Sequence, residues 1–186
     1  MYNGYWGKCG ETEPQRVIDE LVKQEDPRNV LFVATSTIID FGTIINKISN
    51  FTKITFSEKN GYPIDLIEKF KNKTVNFETI DVLSTAGINE KYSLIVAFGL
   101  FSKQVLWEKK DLAIQNLIEL LKPNGILVAS IKFDYMGEFE NTIKSLNLVK
   151  VKWASEYEFI SIRKRFALGI KGRGDIRVTY YLKSPA

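Results

Sequence analysis

The sequence contains no histidine and a single cysteine, Cys9, among its 186 residues. The lack of histidine excludes a Ser-His-Asp triad and any acid–base catalysis by an imidazole. One thiol cannot form an internal disulfide, and without histidine it adds little to a zinc ligand set, so we expect no metal site. A single cysteine is typical of a reducing compartment, and we expect a cytoplasmic protein.

Long apolar runs and a strong charge imbalance are also missing. No apolar stretch approaches about twenty residues, so no membrane-spanning helix is expected. The first residues lack a basic segment followed by an apolar core, so we expect no signal peptide. The formal net charge of +4 permits an anionic partner without requiring one. With 45% apolar and 26% charged residues, the chain has the composition of one globular domain.

The clearest pattern lies between residues 94 and 131. Residues 94–98 and 126–131 are short apolar runs rich in Ile and Val, and neither alternates with polar residues. That pattern is typical of strands buried on both faces in a parallel sheet. Between them, residues 111–121 carry apolar side chains at helical spacing, and a Pro-Asn-Gly turn at 123–125 ends the helix. The stretch predicts a strand–helix–strand unit, since parallel strands require such a crossover.

Similar patterns predict the other elements. Apolar runs rich in β-branched residues predict strands at 29–34, 52–57, 74–80, 148–153 and 176–182. Apolar residues at helical spacing predict helices at 14–26, 38–48, 62–70 and 136–146. The regular alternation of the two kinds of element indicates an α/β fold.

Residues 120–128, Leu-Leu-Lys-Pro-Asn-Gly-Ile-Leu-Val, resemble a segment of the class I S-adenosylmethionine-dependent methyltransferases. In that family, the helix after strand four commonly ends in a Leu-Lys-Pro-Gly-Gly turn into strand five. The resemblance extends over residues 14–182 by the order of the elements. It implies a doubly wound, mostly parallel seven-stranded sheet with an antiparallel C-terminal hairpin and helices on both faces. It also divides the chain into an aromatic N-terminal arm, 1–13, and a methyltransferase-like domain, 14–186.

The resemblance implies a binding site for S-adenosylmethionine at the carboxyl ends of the strands. Ala34 and Ser36 lie in the loop after strand one, where the family has a glycine-rich loop, whereas this chain has no glycine before Gly42. Glu58 matches the acid that accepts hydrogen bonds from the ribose hydroxyls, and Asp81 resembles the acid near the adenine amino group. For the loop with Ala34 and Ser36, the alternative is a plain strand-to-helix turn that caps the helix. For Glu58, the alternative is a surface glutamate.

The end of strand four would line the transfer site, through Ala97, Phe98 and Gly99. Lys132, at the end of strand five, is similar in position to the catalytic lysine of ribose 2′-O-methyltransferases, whose other catalytic residues have no match here. Lys132 is therefore the one catalytic candidate, with a surface lysine as the alternative. No Asn-Pro-Pro-Tyr or Asp-Pro-Pro-Tyr motif is present, which argues against amino methylation of a nucleobase by that mechanism.

Basic residues cluster near the predicted C-terminal hairpin. Such a cluster attracts phosphate groups, so it is a candidate contact for RNA or another anion, with a solvated basic loop as the alternative. The cluster comprises Arg163, Lys164, Arg165, Lys171 and Arg173.

Three functions stay open from the sequence. The first is methyl transfer from S-adenosylmethionine to an O or N acceptor, which would be a small molecule or RNA. The second is a catalytically inactive methyltransferase-like subunit that serves as a partner, regulatory or RNA-binding module, favoured by the loop without glycines and the aromatic arm. The third is another doubly wound nucleotide-binding enzyme, disfavoured because neither a P-loop nor a clean Gly-x-Gly-x-x-Gly motif is present.

Overall fold

The structure is a computed structural model, and it describes part of the chain. The described residues are 28–33, 45–46, 52–97, 100–102, 104–132, 135–150, 160–162 and 176–183. The predicted N-terminal arm, the helix at 14–26 and the loop after the first strand lie outside these ranges. No helix in the described ranges is long and apolar enough to cross a membrane.

The described elements follow the predicted alternation of strands and helices. In chain order they are β1 (Arg28–Val33), β2 (Thr52–Glu58), α1 (Ile64–Phe70), β3 (Val75–Thr79), β4 (Tyr92–Ala97), a 3₁₀ turn (Leu100–Ser102), α2 (Gln104–Glu108), α3 (Lys110–Glu119), β5 (Leu121–Lys132), α4 (Met136–Ser145), β6 (Val149–Lys150), β7 (Ile160–Ile162) and β8 (Ile176–Lys183). Each predicted strand that falls on described residues is present.

The strands form one mixed sheet in the order β3-β2-β1-β4-β5-β8-β6, and β7 also pairs with β8. All pairs among the first five strands are parallel. By contrast, β8 runs antiparallel to β5, β6 and β7. The strand order reverses between β1 and β4, which is the switch point of a doubly wound sheet. The prediction of a mostly parallel sheet with antiparallel C-terminal strands is confirmed, with β7 as an additional short strand.

Helices cover both faces of the sheet, as predicted. On one face, Ile114 and Leu117 of α3 and Phe139 of α4 pack with the buried side chains of β4 and β5. On the other face, Leu66 and Phe70 of α1 pack against the side chains of β1 and β2. The sheet is therefore buried on both sides, which explains the continuous apolar runs of its central strands.

The Pro-Asn-Gly segment differs in detail from the predicted turn. The strand β5 already begins at Leu121, which pairs with Tyr92, and the pairing resumes at Ile126 opposite Leu94 after a register shift. Within the shift, Asn124 has a φ of 63°. A Cβ atom at Gly125 would lie 2.9 Å from the carbonyl oxygen of Lys122. Only glycine fits there, so the segment is a bulge at the start of a strand.

Between β4 and α3 the structure contains the 3₁₀ turn and α2, which the sequence patterns did not predict. Leu100 and Phe101 are buried there, and the Phe101 ring packs 5.9 Å from that of Phe139, in the core. Within the helix predicted at 111–121, Leu112 is 46% exposed, whereas Ala113 and Ile114 are buried. The apolar side of the helix therefore includes Ala113 and Ile114 and leaves Leu112 outside.

Candidate functional site

The carboxyl ends of the parallel strands meet at one edge of the sheet. Val33, the last residue of β1, pairs with Ser57, and Glu58, the last residue of β2, pairs with Thr79. Ala97, the last residue of β4, pairs with Ala129 of β5 and is fully buried. Ligands of open α/β sheets bind at this edge, beside the point where the strand order reverses.

A tight turn follows Glu58 at this edge. The amide of Gly61 donates a hydrogen bond to the carbonyl oxygen of Glu58 over 3.2 Å. Gly61 has a φ of 71°, and a Cβ atom there would lie 3.1 Å from Oγ1 of Thr79. Glycine therefore allows the turn to lie close to the end of β3.

Asp81, two residues beyond β3, has a fixed backbone and side chain. Its Oδ1 accepts a hydrogen bond from the amide of Leu83 at 3.0 Å, and its carbonyl oxygen accepts one from the amide of Ser84 at 2.9 Å. The next carbonyl, of Val82, accepts a hydrogen bond from Nδ2 of Asn116 on α3 at 2.9 Å. Asp81 is thus held at the edge by a turn that is itself tied to a helix.

Lys59 connects the two acidic positions that the sequence indicates. It directly follows Glu58, and its Nζ lies 2.8 Å from Oδ2 of Asp81. The hydrogen bond from Lys59 and then that from the Leu83 amide hold the pKa of Asp81 below its usual 3.8. The side chain of Lys59 stays 64% exposed, so the pair is a solvated one. Sequence reasoning missed this role because no spacing rule links Lys59 to a residue on the next loop.

The structure brings some of the predicted site residues together and does not describe others. Glu58, Asp81 and Ala97 lie at the same edge, and Lys132 ends β5, which places its backbone there too. Ala34, Ser36, Phe98 and Gly99 lie outside the described residues, and so do the five basic residues of the predicted hairpin. Their roles stay predictions.

A second group of side chains follows the ends of β4 and β5. Trp107 of α2 and Tyr135, directly before α4, stack with ring centroids 4.5 Å apart and an interplanar angle of 29°. The indole Nε1 of Trp107 donates a hydrogen bond to Oε2 of Glu138 at 2.9 Å. The Nζ of Lys110 lies 5.1 Å from the centroid of the Trp107 ring, within the range of a cation–π contact. We name these residues the aromatic cluster.

The aromatic cluster was not predicted from the sequence. Trp107 and Tyr135 are separated by a helix and a strand, and neither belongs to a motif. Only their positions in the sequence could have indicated the cluster, because both residues follow strands whose carboxyl ends form the site edge.

The residues at the edge fit the adenosine part of S-adenosylmethionine in chemical type. A carboxylate such as Glu58 accepts hydrogen bonds from two hydroxyl groups, and the carboxylate of Asp81 offers a further acceptor. Among the described residues, no group of three or more acidic or cysteine side chains is arranged to hold a metal ion. The edge thus offers polar groups for a nucleoside.

Comparisons with known proteins agree with this architecture. No protein-family model matches the chain, and no curated protein sequence matches it. Solved structures do match. The N-methyltransferase NodS from Bradyrhizobium japonicum WM9 is similar with a TM-score of 0.59 and 16% identity, covering 93% of this chain and 96% of that one.

Two further structures have the same architecture over nearly their whole length. An S-adenosylmethionine-dependent methyltransferase from Clostridium acetobutylicum has a TM-score of 0.62 and 11% identity, covering 95% of this chain and 94% of that one. An rRNA methylase from Streptococcus thermophilus has a TM-score of 0.57 and 9% identity, covering 96% and 99%. At such identities the likeness concerns the fold. The chain therefore has the Rossmann-like fold of the class I S-adenosylmethionine-dependent methyltransferases.

Proposed function

We propose that this protein transfers a methyl group from S-adenosylmethionine to an O or N acceptor, which is a small molecule or RNA. One observation carries the proposal: Glu58 ends β2, Ala97 ends β4 and Asp81 follows β3, so all three lie at the carboxyl edge of the sheet, on the strands around the switch point between β1 and β4. That edge is where open α/β sheets bind nucleotides.

Each residue at the edge has a part in this proposal. Glu58 accepts hydrogen bonds from the ribose hydroxyls, and Asp81, whose carboxylate is oriented by the amide of Leu83, lies at the adenine end. Ala97 is small and buried, so it lets a ligand approach the end of β4 closely. Ala34, Ser36, Phe98 and Gly99 complete the cofactor side. The protein itself supplies a surface that holds two reactants together.

S-adenosylmethionine supplies an activated sulfonium methyl group, so the transfer needs little further chemistry from side chains. Holding the acceptor in line with that methyl group lowers the barrier by up to about 7–11 kcal/mol. An oxygen acceptor also needs help with its proton, and Lys132 is the candidate for that role. The basic residues Arg163, Lys164, Arg165, Lys171 and Arg173 would serve an RNA acceptor.

The test is calorimetric titration of the full chain with S-adenosylmethionine and S-adenosylhomocysteine. We expect binding of both, and at least about tenfold weaker binding in Glu58→Gln, because a charge-assisted hydrogen bond is lost. Glu68→Gln is the matched control, since Glu68 is exposed on α1 and away from the edge. No binding to the wild-type chain would refute the proposal, and equal affinity in the two variants would remove Glu58 from the site.

A second candidate function is a catalytically inactive methyltransferase-like subunit. The loop after β1, Ala-Thr-Ser-Thr at residues 34–37, favours it because the loop lacks the glycines that let a backbone approach the cofactor. This function predicts no binding of either cofactor form and recovery of the chain in a stable complex with a protein partner. Size-exclusion chromatography of the protein at its natural expression level distinguishes the two functions.

A further inference from the structure

The aromatic cluster already holds an ammonium group. Lys110 places its Nζ 5.1 Å from the centroid of the Trp107 ring and 3.8 Å from Oδ1 of Asp111. Its side chain is only 18% exposed, although lysine side chains normally extend into water. An aromatic face beside a carboxylate is the arrangement that recognises organic cations. Lys110 therefore occupies an ammonium-binding position built by the protein's own side chains.

Two carboxylates are oriented beside this position. Oδ1 of Asp111 accepts a hydrogen bond from Oγ1 of Thr142 at 2.7 Å, and Oε2 of Glu138 accepts one from the indole of Trp107 at 2.9 Å. In the described part of the chain, the second oxygen of each carboxylate has no hydrogen-bond partner. The Asp111 side chain is 58% exposed. Each carboxylate is thus fixed through one oxygen and open through the other.

The two carboxylates lie about one helical turn apart. Glu138 and Thr142 are four residues apart on α4, which places their Cβ atoms about 5–6 Å apart on one side of the helix. Asp111 accepts a hydrogen bond from Thr142, so the carboxylate of Asp111 lies about one helical turn from that of Glu138. The groove between them has a volume of about 300 Å³ and is lined by Lys110, Asp111, Glu138, Asn141, Thr142 and Ser145.

The groove lies along α4, and four of its six lining residues, 138, 141, 142 and 145, belong to that helix. The helix α4 starts at Met136, close after the end of β5, and runs away from that edge. Tyr135, directly before α4, is 37% exposed and offers an aromatic face between the start of that helix and the end of β5. A molecule that binds the carboxylates along α4 therefore extends toward the carboxyl ends of β4 and β5.

We propose that this groove binds the methyl acceptor and that the acceptor is an aliphatic di- or polyamine. One ammonium group takes the place of the Lys110 ammonium between Trp107 and Asp111, the open oxygen of Glu138 faces the chain, and the other amine reaches the site edge. Lys110 is the resident competitor that the acceptor displaces. As an assignment of the acceptor class, the inference rests on the proposed function.

The transfer is balanced without any further reactant. The ammonium group at the edge first loses a proton to solvent. The resulting neutral amine forms a new nitrogen–carbon bond as the sulfur–carbon bond of the sulfonium breaks, and the electron pair of that bond stays on sulfur. The product is a methylammonium, which stays protonated at neutral pH.

The test uses cadaverine (1,5-diaminopentane) as probe and the full chain, by calorimetry and by the ¹⁵N resonance of the Trp107 indole, assigned with Trp107→Phe. We expect cadaverine to shift this resonance, because the indole donates to Glu138. Asp111→Asn and Glu138→Gln should each weaken binding about tenfold, since each removes one charged contact. Glutarate, the dicarboxylate of matching length, should not shift the resonance.

Removal of the resident lysine gives the sharpest result. Lys110→Met should tighten cadaverine binding several-fold, because the competing ammonium is gone, and Lys110→Gln should do the same. Lys69→Met is the matched control, since Lys69 lies over the ring of Phe70 on the opposite face of the sheet, 4.9 Å from its centroid. It should leave the affinity unchanged. Unchanged or weaker binding in both Lys110 variants, or an unmoved indole resonance in the wild type, would overturn the inference.

Titration of the same samples with S-adenosylhomocysteine keeps this inference separate from the proposed function. Cadaverine binding without cofactor binding would contradict the proposed methyl transfer, and with it the acceptor assignment. Cofactor binding without cadaverine binding would contradict the acceptor assignment alone.

Discussion

The two ends of strand β2 each carry a lysine paired with a carboxylate, and the two pairs differ in their surroundings. At the carboxyl end, Lys59 bonds Asp81 in a solvated pair above the loop that follows β3. Near the amino end, Lys53 bonds Glu90, which also accepts a hydrogen bond from Nδ2 of Asn29 at 2.9 Å. The same residue types therefore build two sites at opposite edges of one sheet.

The amino-end pair is nearly as exposed as the other, with 47% of the Lys53 side chain and 29% of the Glu90 side chain exposed, but Glu90 is held by a second hydrogen bond, from Asn29. Burial by itself would raise the pKa of Glu90, but the hydrogen bonds from Lys53 and Asn29 outweigh it and hold the pKa below its usual 4.5. Tyr92, whose ring is fully buried nearby, has a pKa raised far above its usual range by that burial and by Glu78 and Glu90. This pair ties together the starts of β1, β2 and β4.

The comparison teaches that the position of an ion pair, at the carboxyl or the amino ends of the strands, indicates whether the pair serves binding or stability. Parallel strands leave their carboxyl ends to loops, and ligands bind there. An ion pair at that edge is available to a ligand, whereas one at the amino end mainly joins strands. We therefore expect changes at Asp81 to alter binding, and changes at Glu90 to alter stability.

The largest expected effect is on binding at the carboxyl edge. Asp81→Asn should weaken binding of S-adenosylhomocysteine about tenfold, or about 1.4 kcal/mol, because the carboxylate is lost from the adenine end. Its free energy of unfolding at pH 7 should change by less than about 1 kcal/mol, since the pair with Lys59 is solvated. Calorimetry and urea denaturation measure the two quantities. A stability loss without a binding loss would make Asp81 a structural residue.

The next effect concerns the amino-end pair. Glu90→Ala should lower the free energy of unfolding by about 1 kcal/mol, because Lys53 and Asn29 both lose their acceptor. Binding of S-adenosylhomocysteine should not change. Urea denaturation beside Glu68→Ala, a change at an exposed glutamate of α1, isolates the contribution of the pair. If Glu90→Ala abolished cofactor binding in a folded protein, the distinction between the two edges would fail.

The smallest effect is a pH dependence of stability, to which Glu78 and Asp81 contribute with opposite signs. Burial, and then the charge of Glu90, raises the pKa of Glu78 above 4.5, so the folded state binds a proton more readily than the unfolded state. Its contribution is therefore most favourable below pH 4.5 and is lost as the pH rises through its folded pKa. Asp81, with a lowered pKa, contributes above pH 3.8 and loses that contribution as the pH falls further.

Denaturation curves measured across this range test the signs. Glu78→Gln should remove the loss of stability that accompanies rising pH above 4.5, by less than about 1 kcal/mol. Asp81→Asn should instead flatten the loss of stability on acidification below pH 3.8. A Glu78→Gln variant that is less stable than the wild type at pH 7 would contradict the assigned sign.

Sequence patterns predicted the strands well because burial on both faces leaves a direct signal. The runs that became β4 and β5 contain almost no polar residues, and such runs are typical of central parallel strands. The pattern did not reveal α2, since its short span gives too little periodicity. Nor did it predict the exposure of Leu112, which depends on how the helix is rotated against the sheet.

The position of the candidate site could be predicted from the sequence, but most of its side-chain contacts could not. The resemblance to the methyltransferase family led to the prediction that Glu58, Asp81 and Ala97 lie at the carboxyl edge, where the structure places them. The bond from Lys59 to Asp81 and the stack of Trp107 on Tyr135 depend on tertiary folding, which brings separate loops together. No local propensity encodes such contacts.

The most direct test of the central claim is to map the amide resonances of the ¹⁵N-labelled chain while S-adenosylhomocysteine is added. The account predicts shifts at the carboxyl edge, at Glu58, Asp81, Leu83 and Ala97, with Asn29, Lys53 and Glu90 at the amino end unmoved. Shifts at the amino end alone, or none at saturating ligand, would contradict it.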